Sequence, residues 1–140
     1  MSAFQTKIFY LVLTLLLSLL LLVPTVQYIP VLSTGDHGRD FYCAQQILEG
    51  KISYHDFWWV YGPLMPYYYA IFYKLLGITM SSILVGKVVL ILICEIFFYL
   101  ILSRFAPPLF ALIGTLWFLL YMNDFFFTYN HIGGVACLLG

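Results

Sequence analysis

Ionisable side chains that could perform acid–base or anion-binding chemistry are concentrated in one short segment, residues 35–64. Long apolar runs lie on both sides of it. Asp36, just beyond the first apolar run, could act as a general base, because low-dielectric surroundings favour proton uptake by a carboxylate. The alternative is a solvated loop residue or the N-cap of a following helix. We therefore look for a catalytic residue in this segment, and Asp36 is the candidate.

Arg39 and Asp40 are candidate substrate-binding residues close to Asp36. The planar guanidinium of Arg39 suits bidentate binding of a phosphate, and it equally suits a salt bridge to a neighbouring aspartate. Asp40 falls in the first turn of a predicted helix, where a negative charge interacts favourably with the helix dipole. For Arg39, phosphate binding and the salt bridge both stay open. For Asp40, substrate binding and a favourable interaction with the helix dipole both stay open.

Asp56, Tyr61 and His131 are three further candidate substrate contacts. Asp56 is the candidate for a second carboxylate role. Tyr61, together with the two tryptophans before it, could stack on a sugar ring or belong to an aromatic belt at a membrane surface. His131 could face the same cavity as Asp36 or make a simple hydrogen bond between helices.

Neither the histidines nor the cysteines have the spacing of a metal site. The three histidines form no HxxxH or HxH pattern, and the three cysteines form no CxxC pair. No glycine-rich loop that could cradle a nucleotide phosphate is present either. We therefore predict no metal and no cofactor.

The composition indicates that lipid surrounds most of the chain. Of its 140 residues, 64% are hydrophobic and only 9% are charged, against about 25% charged in soluble proteins. The net charge is zero, which gives no reason to expect a nucleic-acid partner. Since a spanning chain in lipid must be helical or a closed barrel, the uninterrupted apolar runs predict an integral, multi-pass, all-α membrane protein.

The apolar runs predict polytopic transmembrane helices, with short interfacial helices in the first outer loop. A span needs about 20 apolar residues. We predict spans over about 8–29, 82–104 and 109–122, and a fourth, 128–140, that is incomplete. The outer loop, residues 30–80, contains a predicted helix over 39–48 and another that begins at 64 or 66 and ends at 76, each stopped by a following glycine.

Two basic residues orient the predicted spans. Lys7 and Arg104 fall on one side of the membrane if the first two spans cross in opposite directions. Basic short loops stay in the cytoplasm, so the 30–80 loop should face outward.

Glu95, in the middle of the second span, is a functional candidate by its position alone. Three partners stay open for it: Lys87, a residue of a missing helix, or a neighbouring helix to which a protonated Glu95 forms a hydrogen bond.

The order of motifs between residues 36 and 77 resembles the first outer loop of the GT-C membrane glycosyltransferases. That superfamily includes the protein O-mannosyltransferases and the aminoarabinose transferases of lipid A. In its members a transmembrane helix is followed by an Asp-containing motif. Four further sequence elements then come in order: A-x-x-I/L-L-x-G, P-Y-x-D-F, Y-G-P-L or K-P-P-L, and L-F-G. The corresponding elements here are Asp36-His-Gly-Arg-Asp40, Ala44-Gln-Gln-Ile-Leu48-Glu-Gly50, Ser53-Tyr-His-Asp56-Phe57, Tyr61-Gly-Pro-Leu64 and Leu75-Leu-Gly77.

The resemblance covers most of residues 1–105 and implies a function. Asp36 matches the catalytic aspartate, the base that activates an acceptor to attack a sugar carried on a polyprenyl phosphate. One departure is His37, where many members have glutamate. The implied partners are a lipid-linked sugar donor, membrane lipids and an acceptor of unknown identity. The implied location is the bacterial inner membrane, with the active loop facing outward.

Members of this superfamily are longer than 140 residues. The resemblance therefore implies a partial GT-C-type transmembrane domain over residues 1–140, with a missing C-terminal part or a partner subunit. Two alternatives stay open. One is a non-catalytic membrane subunit or transporter-like fragment, in which Glu95 and Lys87 would be the sensitive positions. The other is an inactive truncated gene product.

Overall fold

Helices form all of the regular structure in the residues that the computed structural model describes, which are 2–24, 36–124 and 129–140. The all-α prediction is confirmed. Within these ranges, the structure describes only the backbone of residues 3, 36, 37, 123, 124, 129 and 130. The six helices found in these ranges are α1 (Ala3–Leu22), α2 (Asp36–Leu48), α3 (Leu64–Leu76), α4 (Met80–Phe105), α5 (Pro108–Asp124) and α6 (Tyr129–Leu139).

Helix α1 begins earlier than the hydropathy pattern predicts, because a capping box fixes its first turn. The Ser2 hydroxyl accepts a hydrogen bond from the backbone N–H of Gln5 at 3.2 Å, and the Gln5 side chain accepts one from the backbone N–H of Ser2 at 2.8 Å. Each side chain thus satisfies a backbone donor that the helix leaves open. The helix ends at Leu22, and the predicted extension to residue 29 lies mostly outside the described residues.

In the part of the chain that the structure describes, two helices are long and apolar enough to cross a membrane by length and composition: α1, over Phe4–Leu22, and α4, over Met80–Phe105. At about 1.5 Å per residue, the 26 residues of α4 extend about 39 Å. Helix α5 contains a shorter apolar stretch, Pro108–Met122. Large apolar side chains are exposed along α1 and α5, as expected for helices whose outer surface meets an apolar medium.

Helices α1 and α4 pack antiparallel, and three hydrogen bonds record their register. The Lys7 ammonium donates to the carbonyl of Ser103 at 2.8 Å, and the Tyr99 hydroxyl donates to the carbonyl of Lys7 at 2.9 Å. Further along, the Ser18 hydroxyl donates to the Glu95 carboxyl at 2.7 Å. The end of α1 and the start of α4 therefore lie at the same end of the bundle, which we call the loop end because residues 36–79 connect there.

Helix α3 folds back along the first half of α4 as a tight hairpin. The Tyr68 hydroxyl donates to the carbonyl of Gly86 at 2.7 Å. A Cβ atom at Gly86 would lie 3.0 Å from the rings of Tyr69 and Phe72, so the two helices approach closely here and a larger side chain would have to displace a ring. The turn before α4 is fixed by Thr79, whose hydroxyl caps the helix.

One hydrophobic core joins all six helices. Its buried residues come from each of them and include Leu22, Ala44, Tyr69, Ile91, Leu119 and Ile132. Contacts within this core hold α2 and α3 at the loop end, and they hold α6 against α3 and α4. The core thereby brings the start of α6 beside the loop that connects α2 and α3.

Candidate functional site

Helix α2 carries three of the predicted site residues in its first turns. The helix begins at Asp36, three residues before the predicted start, so the Asp36 backbone is helical. The side chain of Asp36 lies outside the described part of the chain, as does that of His37. Its role as a base therefore stays a prediction, and the site is built from the residues that follow it.

Arg39 is held between aromatic rings and a carboxylate. Its guanidinium carbon lies 5.0 Å from the ring centroid of Tyr61 and 5.5 Å from that of Trp59. Its Nε atom lies 3.7 Å from a carboxyl oxygen of Asp40, which is 3% exposed. Cation–π contacts of this kind contribute about 0.5–2 kcal/mol each. Arg39 therefore has a fixed position beside Tyr61, and the predicted salt bridge to a neighbouring aspartate is present.

The loop between α2 and α3 is shaped by Asp56. Its carboxyl group accepts a hydrogen bond from the backbone N–H of Ile52 at 2.8 Å and lies 2.6 Å from Nδ1 of His55. The hydrogen bond from Ile52, followed by that from His55, lowers the pKa of Asp56. Both contacts are local and close a turn in which Tyr54 has a positive φ of 68°. Asp56 thus supports the turn and is not part of the contacts around Arg39.

Two tryptophans adjacent in sequence lie in different environments. Trp59 is buried with Cys43 and Phe57, and its indole N–H donates to the carbonyl of Gly62 at 3.0 Å. Trp58 is 77% exposed. Burial, followed by the charge of Asp40, raises the pKa of Cys43 to about 11, so its thiol is protonated at neutral pH and is not a nucleophile.

The start of α6 approaches the same loop. The His131 ring packs edge-on against Tyr61, with ring centroids 6.4 Å apart. The structure thus brings Arg39, Asp40, Tyr61 and His131 into one group, which we call the mouth cluster. The described contacts of Asp56 are with Ile52 and His55 and not with these four residues, although Tyr54 of the same turn donates a hydrogen bond to the carbonyl of Tyr61.

The mouth cluster stands at one end of an apolar groove between the start of α3 and α6, which we call the α3/α6 groove. The groove has a volume of about 610 Å³, within the range of about 300–1,000 Å³ typical of small-molecule sites. Tyr61 and His131 line the end of the groove that lies at the start of α6. Beyond these two residues, along α6, the walls are apolar. These walls include Leu64, Met65, Val135 and Leu138.

Within the three described ranges, no group of three or more His, Cys, Asp or Glu side chains could hold a metal ion. The described polar groups of the mouth cluster are a guanidinium, a carboxylate, a phenol and an imidazole. A guanidinium can hold an anionic group, and the apolar walls can hold a chain of carbon atoms.

Glu95 lies away from this site, in the interface between α1 and α4. Its side chain is 0% exposed, and one carboxyl oxygen accepts the hydrogen bond from Ser18. The other oxygen, Oε2, is buried and has no hydrogen-bond partner among the described residues. Of the partners predicted from the sequence, a neighbouring helix is the one observed. A contact across 77 positions gives no signal in one sequence, so Ser18 itself was missed.

We expect Ser18→Ala to reduce the free energy of unfolding by about 1–3 kcal/mol, because it leaves a second buried carboxyl oxygen unsatisfied. Replacing Glu95 by Leu in the same chain should restore most of the loss, since both polar partners are then absent. Unfolding in detergent, followed by circular dichroism, measures both effects.

The control for this pair is Thr14→Ala. Thr14 is also fully buried, but its hydroxyl donates to the carbonyl of Tyr10 within α1 at 2.8 Å. Removing the Thr14 hydroxyl leaves no buried carboxyl group without a partner. Thr14→Ala should therefore lower the free energy of unfolding by less than Ser18→Ala does. A Ser18→Ala loss no larger than the Thr14→Ala loss, or no recovery on adding Glu95→Leu, would contradict the assigned contact.

The described residues are all-helical, with α1 and α4 long and apolar enough to cross a membrane and a groove between the start of α3 and α6. Comparison with protein-family models, curated proteins and solved structures finds no match for this chain. A function must therefore be argued from the residues and their geometry.

Proposed function

We propose that this chain is the N-terminal, catalytic-loop part of a multi-pass membrane glycosyltransferase. It transfers a sugar from a polyprenyl phosphate to an acceptor at the outward face of a bacterial inner membrane. The observation that carries the proposal is the position of the mouth cluster, with Arg39, at the end of an apolar groove. A polyprenyl-phosphate sugar has the same division into an anionic head and a long apolar chain.

The antiparallel packing of α1 and α4 supports the proposed orientation. Lys7 contacts Ser103, the residue before Arg104, so the two basic residues lie at the end of the bundle opposite the loop end. Because basic residues favour the cytoplasmic side, the loop end faces outward. A donor held in the membrane and an exported or membrane-bound acceptor can meet there.

In the proposed reaction, Asp36 accepts a proton from the hydroxyl or amine of the acceptor. The acceptor attacks the anomeric carbon, the bond from that carbon to the phosphate oxygen breaks, and the lipid phosphate leaves with the electron pair. The product has the inverted configuration at the anomeric carbon. Arg39 stabilises the negative charge that develops on the leaving phosphate, where a charge-assisted hydrogen bond is strong.

Membranes containing the full chain test the proposal. They are incubated with a panel of polyprenyl monophosphates that carry radiolabelled hexoses or pentoses, and label in lipid-insoluble or acceptor-bound products is counted. We expect more label to be transferred from at least one donor than in membranes that lack the protein. No transfer from any donor, with the protein inserted and folded, would overturn the proposal.

The second candidate is a non-catalytic membrane subunit. It is favoured by the buried polar contacts of α4, where Glu95 bonds Ser18 and Lys87 is also buried. In that case variants of Glu95 and Lys87 should disturb the activity of a partner complex, whereas Asp36→Asn should not. The two candidates therefore differ in which residues are sensitive.

A further inference from the structure

Glu95 is a buried carboxyl group that the proposed transfer reaction does not use. Its side chain is 0% exposed, and its Oε1 atom accepts a hydrogen bond from the Ser18 hydroxyl at 2.7 Å. Its Oε2 atom is buried without a hydrogen-bond partner in the part of the chain that the structure describes. None of the described ion pairs involves Glu95. Within the described residues, the carboxyl group therefore has one hydrogen bond and no counter-ion.

The side chains next to Glu95 on α4 and α1 are apolar or carry neutral hydroxyls. On α4, Ile91 lies one turn towards the loop end and Tyr99 lies one turn the other way, and each is 1% exposed. On α1, Thr14 precedes Ser18 by one turn, and both are fully buried. The hydroxyls of Thr14 and Tyr99 each donate to a backbone carbonyl of α1. These two hydroxyls are therefore already engaged as donors.

The cations of the surrounding helices lie farther along the bundle. Lys87 and Arg104 are eight and nine residues from Glu95 on α4, which is at least about 12 Å at 1.5 Å per residue. On α1, Lys7 donates to the carbonyl of Ser103. The other titratable side chains described on α1, α4, α5 and α6 are Tyr10, Cys94, Tyr99, Tyr121, His131 and Cys137. Helix α3 packs on the half of α4 around Gly86.

An ionised carboxylate is strongly disfavoured in these surroundings. A charge that is buried without a counter-ion loses its hydration and gains no comparable interaction, so such a group takes up a proton instead. Protonation removes the charge and leaves Oε1 free to accept the bond from Ser18. What then stays unsatisfied is a single O–H group, which costs far less than a buried ion.

We infer that Glu95 is a proton-binding site inside the α1–α4 interface, with the proton on Oε2 and Oε1 bonded to Ser18. The bound proton allows α1 and α4 to pack against each other at this level, and its loss weakens their contact. The α1–α4 contact is therefore sensitive to pH. This inference does not rest on the proposed sugar transfer, and it is tested without any transfer reaction.

The chain contains two glutamates, Glu49 and Glu95, so one substitution gives a direct spectroscopic test. Glu49→Gln removes the exposed glutamate, and glutamate with an isotope label at its side-chain carboxyl carbon then marks Glu95 alone. Infrared spectra of the labelled and unlabelled chain, in phosphatidylcholine nanodiscs at neutral pH, are subtracted. A protonated carboxyl group shows a C=O stretching band, whereas a carboxylate shows paired bands at lower frequency. We expect the band of the protonated acid.

The same labelled chain tests the contact with Ser18. Ser18→Ala should move the acid band to higher frequency, because the C=O group loses the hydrogen bond that it accepts. The matched control is Thr14→Ala, which removes a buried hydroxyl that is bonded within α1. Thr14→Ala should leave the band in place.

The stability of the fold should depend on pH through the same group. Unfolding exposes Glu95 to water, where it releases the proton, so the unfolded chain binds fewer protons than the folded chain. The free energy of unfolding therefore falls as the pH rises above about 5. Relative to Glu95→Gln, which mimics the neutral acid, the unfolding equilibrium constant of the original chain should rise by up to about tenfold per pH unit, the limit for one proton. Denaturant unfolding in detergent measures both chains.

Three results would overturn the inference. The first is a pair of carboxylate bands from the labelled Glu95 at neutral pH. The second is an acid band that Ser18→Ala does not move. The third is an unfolding equilibrium that responds to pH in parallel in the original chain and in Glu95→Gln. The labelled band is read without any change at Glu95, so the first result decides the matter whether or not Glu95→Gln folds.

Discussion

Asp36→Asn should lower the rate of sugar transfer by about 10²–10⁴-fold, the contribution expected of a positioned general base. Asparagine keeps the size of the side chain and its capacity to cap or begin a helix, but it cannot take a proton from the acceptor. The rate is measured with the labelled donor that supports transfer, at saturating donor concentration. Expression, membrane insertion and the melting temperature should stay near their original values.

The matched control for Asp36→Asn is Glu49→Gln. Glu49 is a carboxylate just after α2, in the same segment between α1 and α4, half exposed and paired with Lys51 at 3.1 Å. It has no contact with the mouth cluster among the described residues, so its neutralisation should leave transfer within about twofold, as a surface ion pair contributes little. If both variants lose activity equally, or if Asp36→Asn keeps full activity, Asp36 is not the base.

The helices between α1 and α4 could be predicted because their signals are local. Gly50 and Gly77 have φ angles of 84° and 90°, which favour glycine, and each follows a helix that ends where the sequence indicates. The apolar runs likewise predict α4 and α5 to within two residues at each end. These features depend on residues a few positions apart, so a single sequence contains them.

The site could be predicted only as a set of candidate residues. Arg39, Tyr61 and His131 were chosen for their chemistry, and the structure brings them together although 70 positions separate Tyr61 from His131. Asp56 was chosen in the same way, and its described contacts are instead within a turn. Side-chain type indicates what a residue can bind, whereas tertiary packing decides which residues share a site.

The groove was missed for a related reason. Its open space arises where α6 crosses the start of α3, beside Gly134, where an added Cβ atom would meet no atom within 4 Å. It therefore depends on a tertiary contact between two helices. The glycine pair in an apolar helix was the available signal. Adjacent glycines lower helix stability without adding apolar surface, which indicates a close approach or a space that must stay open.

Arg39→Ala should raise the KM for the lipid-linked donor by about 10–100-fold. This range corresponds to the 1.5–3 kcal/mol of a hydrogen bond to a charged group. Arg39→Lys keeps the charge but loses the planar fork and the stacking on Tyr61 and Trp59, so its KM should be intermediate. Initial rates at varied donor concentration, with the acceptor fixed, give KM and kcat for each variant.

A purely structural role for Arg39 would give a different result. Its contacts with the two rings and with Asp40 would then support the loop alone. In that case Arg39→Ala would lower the melting temperature, and the variant that remains folded would bind donor with an unchanged KM. Lys51→Ala, which removes an exposed cation of the same loop, is the control for general electrostatic attraction of the donor. A change in KM that is specific to Arg39 and partly rescued by lysine would mean that the mouth cluster binds the phosphate directly.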